Sequence, residues 1–398
     1  MKPIAVLDIG SSKVVCLCGS MTDRDGIIVH GAGICACDAF RGDDFFDKQG
    51  LHDAVVNAIH KAEQESNMRI REIALTIPTA FSKLILSDMT MSFGDKSRLV
   101  EPEDVDRLID QSFQKVGQQN GYYLVHSTPV FFLVDGVSST ELPVDIQTEE
   151  ISGLIAFMFV RKDYLRVVQD ILDDIGVEFR RCINSMLGEA MMLIPESERI
   201  RPAVLIDVGY RQTDICVIEG AAITALHSIP MGGYQFSSDL SFALGVTFES
   251  AEQAKRRFIF SLDYGDKTEI LRSETESKRV SNSTIAYVIE ARAAELADLV
   301  REELEQMSVN LDAKPVIYLS GGGLLMMRGA LEFFKNRLGV PIKRDMPWTP
   351  RLSSPNYCSS FGALNFILRV NRSTEDQPKK QERNEDSFLN KLKNFFTK

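Results

Sequence analysis

The chain has 398 residues and a mass of 44.5 kDa, which is too long for one small core and suggests about two to four lobes. Its 45 basic and 56 acidic residues give a net charge of −11, which argues against general binding of nucleic acid because phosphate attraction requires a basic surface. The N-terminus lacks the features of a signal peptide and no apolar run approaches the roughly 18 residues of a spanning helix, so we expect a cytoplasmic protein.

The N-terminal residues predict a strand, a polar turn and a second strand. The first strand starts near Ile4 and ends in Asp8-Ile9-Gly10, and the second begins at Lys13. A third short apolar run with glycines, a helix over 51–65 and a strand over 70–77 follow. Together these elements form a β-β-β-α-β unit.

The turn between the first two strands has the chemistry of a phosphate-binding loop. Gly10 allows backbone N–H groups to approach phosphate oxygens closely, and Ser11, Ser12 and Lys13 add hydroxyl and ammonium donors. Asp8 can hold a magnesium ion through water. A plain β-hairpin with a polar turn is an equally good interpretation of one such turn taken alone.

From residue 79 to 160 the pattern changes to short strands around one helix. That helix begins at Glu101-Pro102-Glu103-Asp104, where acidic residues and proline suit a helix N-terminus. We interpret this stretch as an inserted α+β subdomain. A helix over 163–175, a strand over 177–183 and a helix over 185–194 then return to the first lobe.

Val204–Glu219 repeats the first motif 199 positions later, with Asp207-Val208-Gly209 at its turn. Asp207 is therefore the second candidate for holding magnesium and for catalysis. Tyr210 and Arg211 follow the glycine here, and their side chains restrict how closely the backbone can surround a phosphate, although Arg211 can add a charge-assisted contact. Glu189, in the preceding helix, is a candidate for polarising a water molecule.

A third feature follows in the second lobe. Gly232-Gly233 precedes a helical stretch, a polar loop is predicted over 263–281, and 285–307 has the pattern of one long amphipathic helix. A buried strand over 316–319 then runs into Ser320-Gly321-Gly322-Gly323. These glycines offer a surface without side chains for an adenine or ribose, although such a junction is also a common packing device.

The C-terminal residues change character twice. Asn371 to Glu385 contains no apolar residue except Pro378, which predicts a flexible linker. Ser387 to Lys398 contains three lysines and no acidic residue, a local charge of +3. One arc of the helix predicted over 386–398 is apolar and has lysines at its shoulders: Phe388, Leu389, Leu392, Phe395 and Phe396, with Lys391 and Lys393. This pattern favours binding to an anionic membrane surface, and docking of the helix on its own protein is the alternative.

The two Asp-x-Gly turns followed by a glycine-rich turn resemble those of the actin/Hsp70/hexokinase nucleotide-binding superfamily. Within it the chain resembles the FtsA family of bacterial cell-division proteins over nearly its whole length. The resemblance is carried by Leu7–Lys13, Ile206–Gly209 and Leu319–Gly323, with Gly329 and Glu332. Ala251-Glu252-x-x-Lys255, Gly232-Gly233 and Pro355–Gly362 are also similar to family segments, the first being the segment that contacts ribose and base.

The resemblance implies an α/β, actin-like two-lobed fold with duplicated β-β-β-α-β cores and an inserted α+β subdomain. The implied units are 1–78 with 161–200 (first lobe), 79–160 (inserted subdomain), 201–247 with 308–370 (second lobe), 248–307 (small subdomain), 371–385 (linker) and 386–398 (membrane helix). It also implies ATP and Mg²⁺ as cofactors. The implied cofactor-binding residues are Asp8, Gly10, Ser11, Ser12, Lys13, Asp207, Gly209, Arg211, Gly232, Gly233, Glu252, Lys255, Gly321, Gly322 and Gly323, and Asp8 and Asp207 would hold the metal through water.

As a function, the resemblance implies a protein that polymerises at the inner face of the cell membrane and ties FtsZ filaments to it at the division site. ATPase activity is expected to be weak or absent. The FtsZ C-terminal tail would dock on 248–307, where five basic residues are candidates for contacting an acidic peptide, and other division proteins would bind 79–160. The candidate basic residues are Lys255, Arg256, Arg257, Arg292 and Arg301. A pilus-assembly protein like PilM and a sugar kinase are the alternatives.

Overall fold

The first lobe is built from three antiparallel strands, a helix and a parallel strand, as the sequence predicts. The computed structural model describes residues 2–375 except 39, 95, 140–141, 266 and 274–276. The elements of this part are β1 (Ile4–Ile9), β2 (Lys13–Met21), β3 (Ile27–Ala36), β4 (Phe40–Arg41), β5 (Asp44–Phe45), α1 (Lys48–Ser66) and β6 (Glu72–Ile77). The Asp47 carboxylate caps α1 by accepting a hydrogen bond from the Gly50 N–H at 2.8 Å.

A four-stranded antiparallel sheet with one helix on its face interrupts the first lobe. Its elements are β7 (Ser82–Ser92), β8 (Arg98–Leu99), α2 (Pro102–Val116), β9 (Tyr122–Val134), β10 (Val137–Ser139), β11 (Gln147–Thr148) and β12 (Glu150–Arg161). The main sheet has the order β10-β9-β12-β7, and β8 pairs with β11. Asp104 closes the first turn of α2 by accepting the Glu101 N–H at 3.0 Å, so the predicted helix start is confirmed.

Three elements return the chain to the first lobe, and their bounds lie within about one residue of those predicted. They are α3 (Lys162–Asp174), β13 (Glu178–Asn184) and α4 (Ser185–Leu193). The completed first sheet has the order β13-β6-β1-β2-β3. Its β1, β6 and β13 are parallel, so their carboxyl ends meet at one edge of the sheet, where Asp8 lies.

The second lobe also has three antiparallel strands followed by a parallel strand, but a longer segment joins its third strand to the parallel one. Its elements are β14 (Ala203–Val208), β15 (Thr213–Glu219), β16 (Ala222–Ile229), α5 (Gly233–Leu244), α6 (Phe248–Arg257), β17 (Thr268–Arg272), β18 (Ser277–Ser281), α7 (Asn282–Gln306), β19 (Val316–Ser320), α8 (Gly322–Leu325), α9 (Ala330–Leu338) and α10 (Cys358–Glu375). The sheet order is β16-β15-β14-β19, with β14 parallel to β19. Single turns of 3₁₀ helix lie at Thr79–Phe81, Glu196–Glu198, Leu311–Ala313, Pro350–Leu352 and Pro355–Tyr357.

Two predicted boundaries are corrected by the structure. The polar loop predicted over 263–281 contains the β17–β18 hairpin, whose buried Leu271 and Val280 pack into the second core beside the exposed Arg272 and Arg279. The last helix, α10, continues to Glu375 and so includes the first five residues of the predicted linker. Arg372 of this extension pairs with Asp25 of the first lobe, a tertiary contact that composition does not reveal.

The two lobes share part of their apolar core, which fixes the position of their loops. On β14, Leu205 faces the core of the first lobe, whereas Val204 and Ile206 face a second core with α5 and α7. This alternation follows from the period of two along a strand. The helix α10 packs against α4, β1 and β2. None of the helices in the described ranges is both long and apolar enough to cross a membrane.

Candidate functional site

The two Asp-x-Gly motifs form hairpin turns with the same backbone. In the first phosphate hairpin (residues 8–13) the Gly10 N–H donates to the Lys13 carbonyl at 2.9 Å, and in the second phosphate hairpin (residues 207–212) the Gly209 N–H donates to the Gln212 carbonyl at 2.9 Å. Asp8 and Asp207 each occupy the last position but one of their strand. The repeat seen in sequence is therefore a repeat in geometry.

A cavity of about 690 Å³ lies between these hairpins, within the size range of small-molecule and cofactor sites. Both hairpins, the glycine-rich turn before α8 and the helix α6 contribute to its walls. The predicted site residues in the lining are Asp8, Gly10, Ser11, Ser12, Lys13, Asp207, Gly209, Gly233, Glu252, Lys255, Gly321, Gly322 and Gly323. Residues that are distant in sequence thus meet at one cleft between the lobes.

Asp8 is held in the cavity wall by the neighbouring parallel strand. Leu7 pairs with Leu75 in the register of β1 and β6, which brings Thr76 beside Asp8. The Thr76 hydroxyl donates to Asp8 Oδ1 at 2.6 Å. Burial raises the pKa of Asp8 above its usual value, while this hydrogen bond and the Lys13 ammonium favour the charged form.

Asp207 is the less satisfied carboxylate of the pair. Its Oδ1 is buried and has no hydrogen-bond partner among the described residues. Burial, followed by the nearby charges of Asp214 and Asp8, raises the pKa of Asp207 to about 7. Burial also raises the pKa of Asp214 to about 6. Three carboxylates with raised pKa values therefore share one cleft, a situation that a bound cation would relieve.

Lys13 is the cationic group of the first hairpin. Its ammonium lies over the Tyr357 ring, 4.2 Å from the ring centroid. Burial lowers the pKa of Lys13 to about 8, although the charges of Asp8 and Asp207 oppose that shift. A phosphate in the cavity would add further negative charge and so favour the protonated form of Lys13.

The residues present fit a hydrated divalent cation between phosphates and carboxylates. Besides Asp207 Oδ1, the buried oxygens Gln212 Oε1 and Asn356 Oδ1 lack hydrogen-bond partners in the described part of the chain, and all three residues line the cavity. Magnesium is usually held by one or two carboxylates with water and substrate phosphates. No group of three or more His, Cys, Asp or Glu side chains in the described ranges is arranged as a metal site.

The glycine-rich turn is required by packing against the second hairpin. Gly321 has a φ of +90°, and a Cβ there would lie 2.1 Å from Asp207 Oδ1. A Cβ at Gly323 would lie 2.0 Å from the Gly209 carbonyl oxygen. Side chains would therefore push the turn away from the hairpin. The glycines join two walls of the cavity as well as exposing backbone to it.

Lys255 and Glu252 form the wall supplied by α6. The Lys255 ammonium donates to the Gly233 carbonyl at 2.8 Å and pairs with Glu252 at 2.6 Å. Burial lowers the pKa of Lys255 below its usual value, and Glu252 opposes that shift. Both residues line the cavity.

Three predicted site residues lie outside the cavity lining. Gly232 packs behind the second hairpin, where a Cβ would lie 2.6 Å from the Gly209 carbonyl oxygen. Arg211 turns toward the first lobe and pairs with Asp38. Glu189 is fully buried on α4. These placements give Gly232 a packing role and leave Arg211 already paired.

Glu189 is corrected as a candidate for polarising water. Neither carboxyl oxygen has a hydrogen-bond partner among the described residues, and burial, with the nearby Asp207 charge second, raises its pKa well above the usual value. A carboxyl that is enclosed by protein has no room beside it for a water molecule from the cavity. The sequence suggested an exposed helix carboxylate, but this face of α4 packs against α10 and the second sheet.

The cavity also contains residues that sequence reasoning missed, namely Asp38, Gln212, Asp214, Phe248, Asn356 and Ser359. Asp214 could have been found, because it is an acidic residue within the otherwise apolar strand β15, directly opposite Asp207 in the register. Asp38 carried no such signal, since it lies in a loop after β3. The predicted membrane-binding residues, Phe388, Leu389, Lys391, Leu392, Lys393, Phe395 and Phe396, lie outside the described residues.

Sequence comparison finds similarity to cell-division proteins. The family model described as cell division protein FtsA matches residues 204–362. The FtsA of Pseudomonas aeruginosa is 24% identical over 378 residues, covering 92% of this chain and 90% of the relative. The FtsA of Bacillus subtilis is 22% identical over 371 residues, covering 91% of this chain and 83% of the relative. The chain is therefore similar to these FtsA proteins over nearly its whole length.

Structural comparison confirms the actin-like two-lobed α/β fold. The PilM–PilN type IV pilus biogenesis complex aligns with a TM-score of 0.63 and 15% identity, covering 92% of this chain and 98% of that one. MreB5 of Spiroplasma citri bound to ADP aligns with a TM-score of 0.56 and 14% identity, covering 95% and 99%. At these identities the structures show a shared fold, whereas the resemblance to FtsA rests on sequence.

Proposed function

We propose that the chain binds ATP with Mg²⁺ in the cleft between its lobes. The observation that carries this proposal is the convergence of both phosphate hairpins and the glycine-rich turn on one cavity. The first hairpin would bind phosphates through its N–H groups, its hydroxyls and Lys13. Asp8 and Asp207 would hold the metal through water, and the metal would neutralise phosphate charge. The MreB5 structures of the same fold contain ADP or AMPPNP, which supports this reading.

Turnover of the nucleotide is proposed to be slow. Glu189 is enclosed by protein, and Arg211 is held in an ion pair with Asp38. The second hairpin carries Tyr210 and Arg211 where backbone alone would approach a phosphate most closely. These features favour a nucleotide that controls assembly over one that is rapidly hydrolysed.

We further propose that the chain polymerises at the inner face of the membrane and ties FtsZ filaments to it during septum assembly. The FtsA relatives support the division role, and the double helical filament of MamK shows that a protein of this fold can polymerise. Other division proteins would bind the region 79–160. The membrane contact is assigned to 386–398 by its apolar arc and lysines.

The basic residues proposed to meet an FtsZ tail are less available than the sequence suggested. Lys255 faces the cavity, Arg292 pairs with Asp239 at 2.5 Å, and Arg301 donates to the Arg337 carbonyl at 2.6 Å. These groups already have partners within the chain. The acidic peptide therefore needs another surface nearby.

Two exposed aromatic side chains offer that surface. Phe242 on α5 is 92% exposed and Tyr287 on α7 is 76% exposed. The two helices pack together, and the Lys278 ammonium donates to the Gly245 carbonyl at 3.1 Å, which places the end of α5 beside β18, the strand that leads into α7. Lys278 and the exposed Arg279 add positive charge to this apolar surface. An acidic peptide with apolar residues would match it.

The membrane and filament roles are tested by co-sedimentation with liposomes containing anionic lipid, with and without FtsZ polymers. We expect deletion of 386–398 to abolish pelleting of the chain with liposomes while leaving nucleotide binding intact. Phe242→Ala with Tyr287→Ala should reduce pelleting with FtsZ, whereas Tyr123→Ala, a matched exposed tyrosine in the inserted sheet, should not. Full membrane pelleting of the deletion variant would contradict the anchor, and equal FtsZ binding by all variants would contradict the docking surface.

A further inference from the structure

One side chain joins the second phosphate hairpin to the first lobe across the cleft. Arg211 of the second hairpin extends to Asp38 of the first lobe, where its Nε donates to Oδ1 at 2.5 Å and its NH2 group donates to Oδ2. This is a bidentate arginine–carboxylate pair, the geometry in which such pairs are strongest. Arg211 is buried and Asp38 is half exposed, so solvent weakens the pair only from one side.

Aromatic side chains fix the direction of the Arg211 guanidinium. It lies 4.2 Å from the centroid of the Tyr234 ring, and Tyr210 meets Tyr234 edge to face at 5.6 Å. Tyr234 in turn stacks on Phe248 at 5.2 Å. Because the guanidinium rests on a packed ring, the arginine is preorganised for Asp38 instead of for the cavity.

The backbone of the second hairpin also touches the first hairpin directly. The Arg211 N–H donates to the Ser11 hydroxyl oxygen at 3.2 Å. This N–H carries a single proton, so a phosphoryl oxygen that accepted it would have to replace the Ser11 hydroxyl as its acceptor. A terminal phosphate that bound both hairpins at this point would therefore break the Arg211–Ser11 hydrogen bond.

We propose that Arg211 and Asp38 form a latch between the second phosphate hairpin and the loop after β3 that must open to admit a terminal phosphate, so that the closed cleft prefers a nucleoside diphosphate to a nucleoside triphosphate. This inference rests on the proposed binding of nucleotide in the cleft. A diphosphate leaves the Arg211–Ser11 hydrogen bond intact, whereas a triphosphate breaks it and strains the ion pair. Asp38, which lines the cavity, then determines specificity by holding Arg211.

The latch is tested with Asp38→Asn, which keeps the shape of the side chain and removes its charge. Arg351→Gln is the matched control, because Arg351 pairs with Glu65 on α1 and neither residue lines the cavity. The affinities of each variant for Mg²⁺-ATP and Mg²⁺-ADP are measured by calorimetry. Asp38→Asn should shift the preference toward ATP by about three- to tenfold, and Arg351→Gln should not change it. An unchanged ratio in Asp38→Asn would overturn the latch.

A measurement without nucleotide separates this inference from the proposed function. Hydrogen exchange of the amides at 210–213 should be faster in nucleotide-free Asp38→Asn than in the wild type or in Arg351→Gln, because the Arg211 N–H loses its fixed position beside Ser11. Unchanged exchange there would also overturn the latch. If the wild type bound neither nucleotide while exchange still accelerated, the latch would stand as a contact between the lobes and both the nucleotide site and its specificity would be wrong.

Discussion

The first and second phosphate hairpins have the same turn but different side chains on it. Ser11, Ser12 and Lys13 occupy the first, whereas Tyr210, Arg211 and Gln212 occupy the equivalent positions of the second. The first hairpin therefore supplies hydroxyls and a cation to the cavity. The second supplies an unsatisfied carboxylate and directs its cation to the opposite lobe. The backbone that the two hairpins share fixes where the aspartates lie. The side chains that follow determine which hairpin supplies hydroxyls and a cation to the cavity.

The strands beside the two aspartates also differ in the support that they give. Thr76 on β6 donates to Asp8, but Ser320 on β19, which pairs with Asp207 in the register, has a buried hydroxyl without a hydrogen-bond partner in the described part of the chain. Asp8 is thus supported by its own lobe before any ligand binds. Asp207 depends on a bound cation for the same compensation.

The largest expected effect comes from removing either carboxylate. Asp8→Asn and Asp207→Asn should each weaken binding of Mg²⁺-nucleotide on the order of 100-fold, because each loses a group that holds the hydrated metal. Only Asp207→Asn should also raise the melting temperature of the nucleotide-free protein, by a few degrees at pH 8, since it removes a buried charge whose Oδ1 has no hydrogen-bond partner in the described structure. Calorimetry and thermal unfolding measure the two effects.

Equal shifts of the melting temperature in the two variants would show that Asp8 and Asp207 do not differ in how the protein stabilises them. Wild-type affinity in either variant would remove that aspartate from the proposed site. Asn is the appropriate replacement because it keeps the volume of the side chain while removing its charge.

Lys13→Gln, which gives the first hairpin the residue of the second, should weaken nucleotide binding about tenfold at pH 7. In the free wild type the Lys13 cation is present below its pKa of about 8 and is lost as the pH rises through that value. Wild-type affinity should therefore fall from pH 7 to pH 9, and the fall should be much smaller in Lys13→Gln. Titrations with Mg²⁺-ADP across this range test the sign, and identical pH profiles for the two proteins would contradict it.

The smallest effects are expected from removing the hydroxyls of Thr76 and Ser320, which lie beside the two aspartates. Thr76→Val should cost about 1–2 kcal/mol of unfolding free energy because Asp8 loses its buried hydrogen-bond donor. Ser320→Ala should be neutral within about 0.5 kcal/mol, since the hydroxyl that it removes has no partner in the described structure. Urea unfolding of the two variants provides the comparison, and equal losses would show that the lobes support their aspartates alike.

Local sequence patterns predicted much of the fold and the centre of the site. The alternating strands, the capped helix start at Glu101 and the repeated Asp-x-Gly turns are local signals, and the elements that they predict are present. The meeting of Arg211 with Asp38 is different, because these residues are 173 positions apart and only the packing of the two lobes brings them together. Glu189 failed for a similar reason, since burial of its helix face depends on α10.

The most direct test of the central claim is the binding of Mg²⁺-ADP and Mg²⁺-ATP to the wild-type chain by calorimetry, with the Asp8→Ala, Asp207→Ala double variant as reference. The account predicts one nucleotide per wild-type chain, weaker binding when magnesium is chelated, and no measurable binding by the folded double variant. Nucleotide binding that survived in the double variant, or its absence in the wild type, would contradict a site built from the two phosphate hairpins.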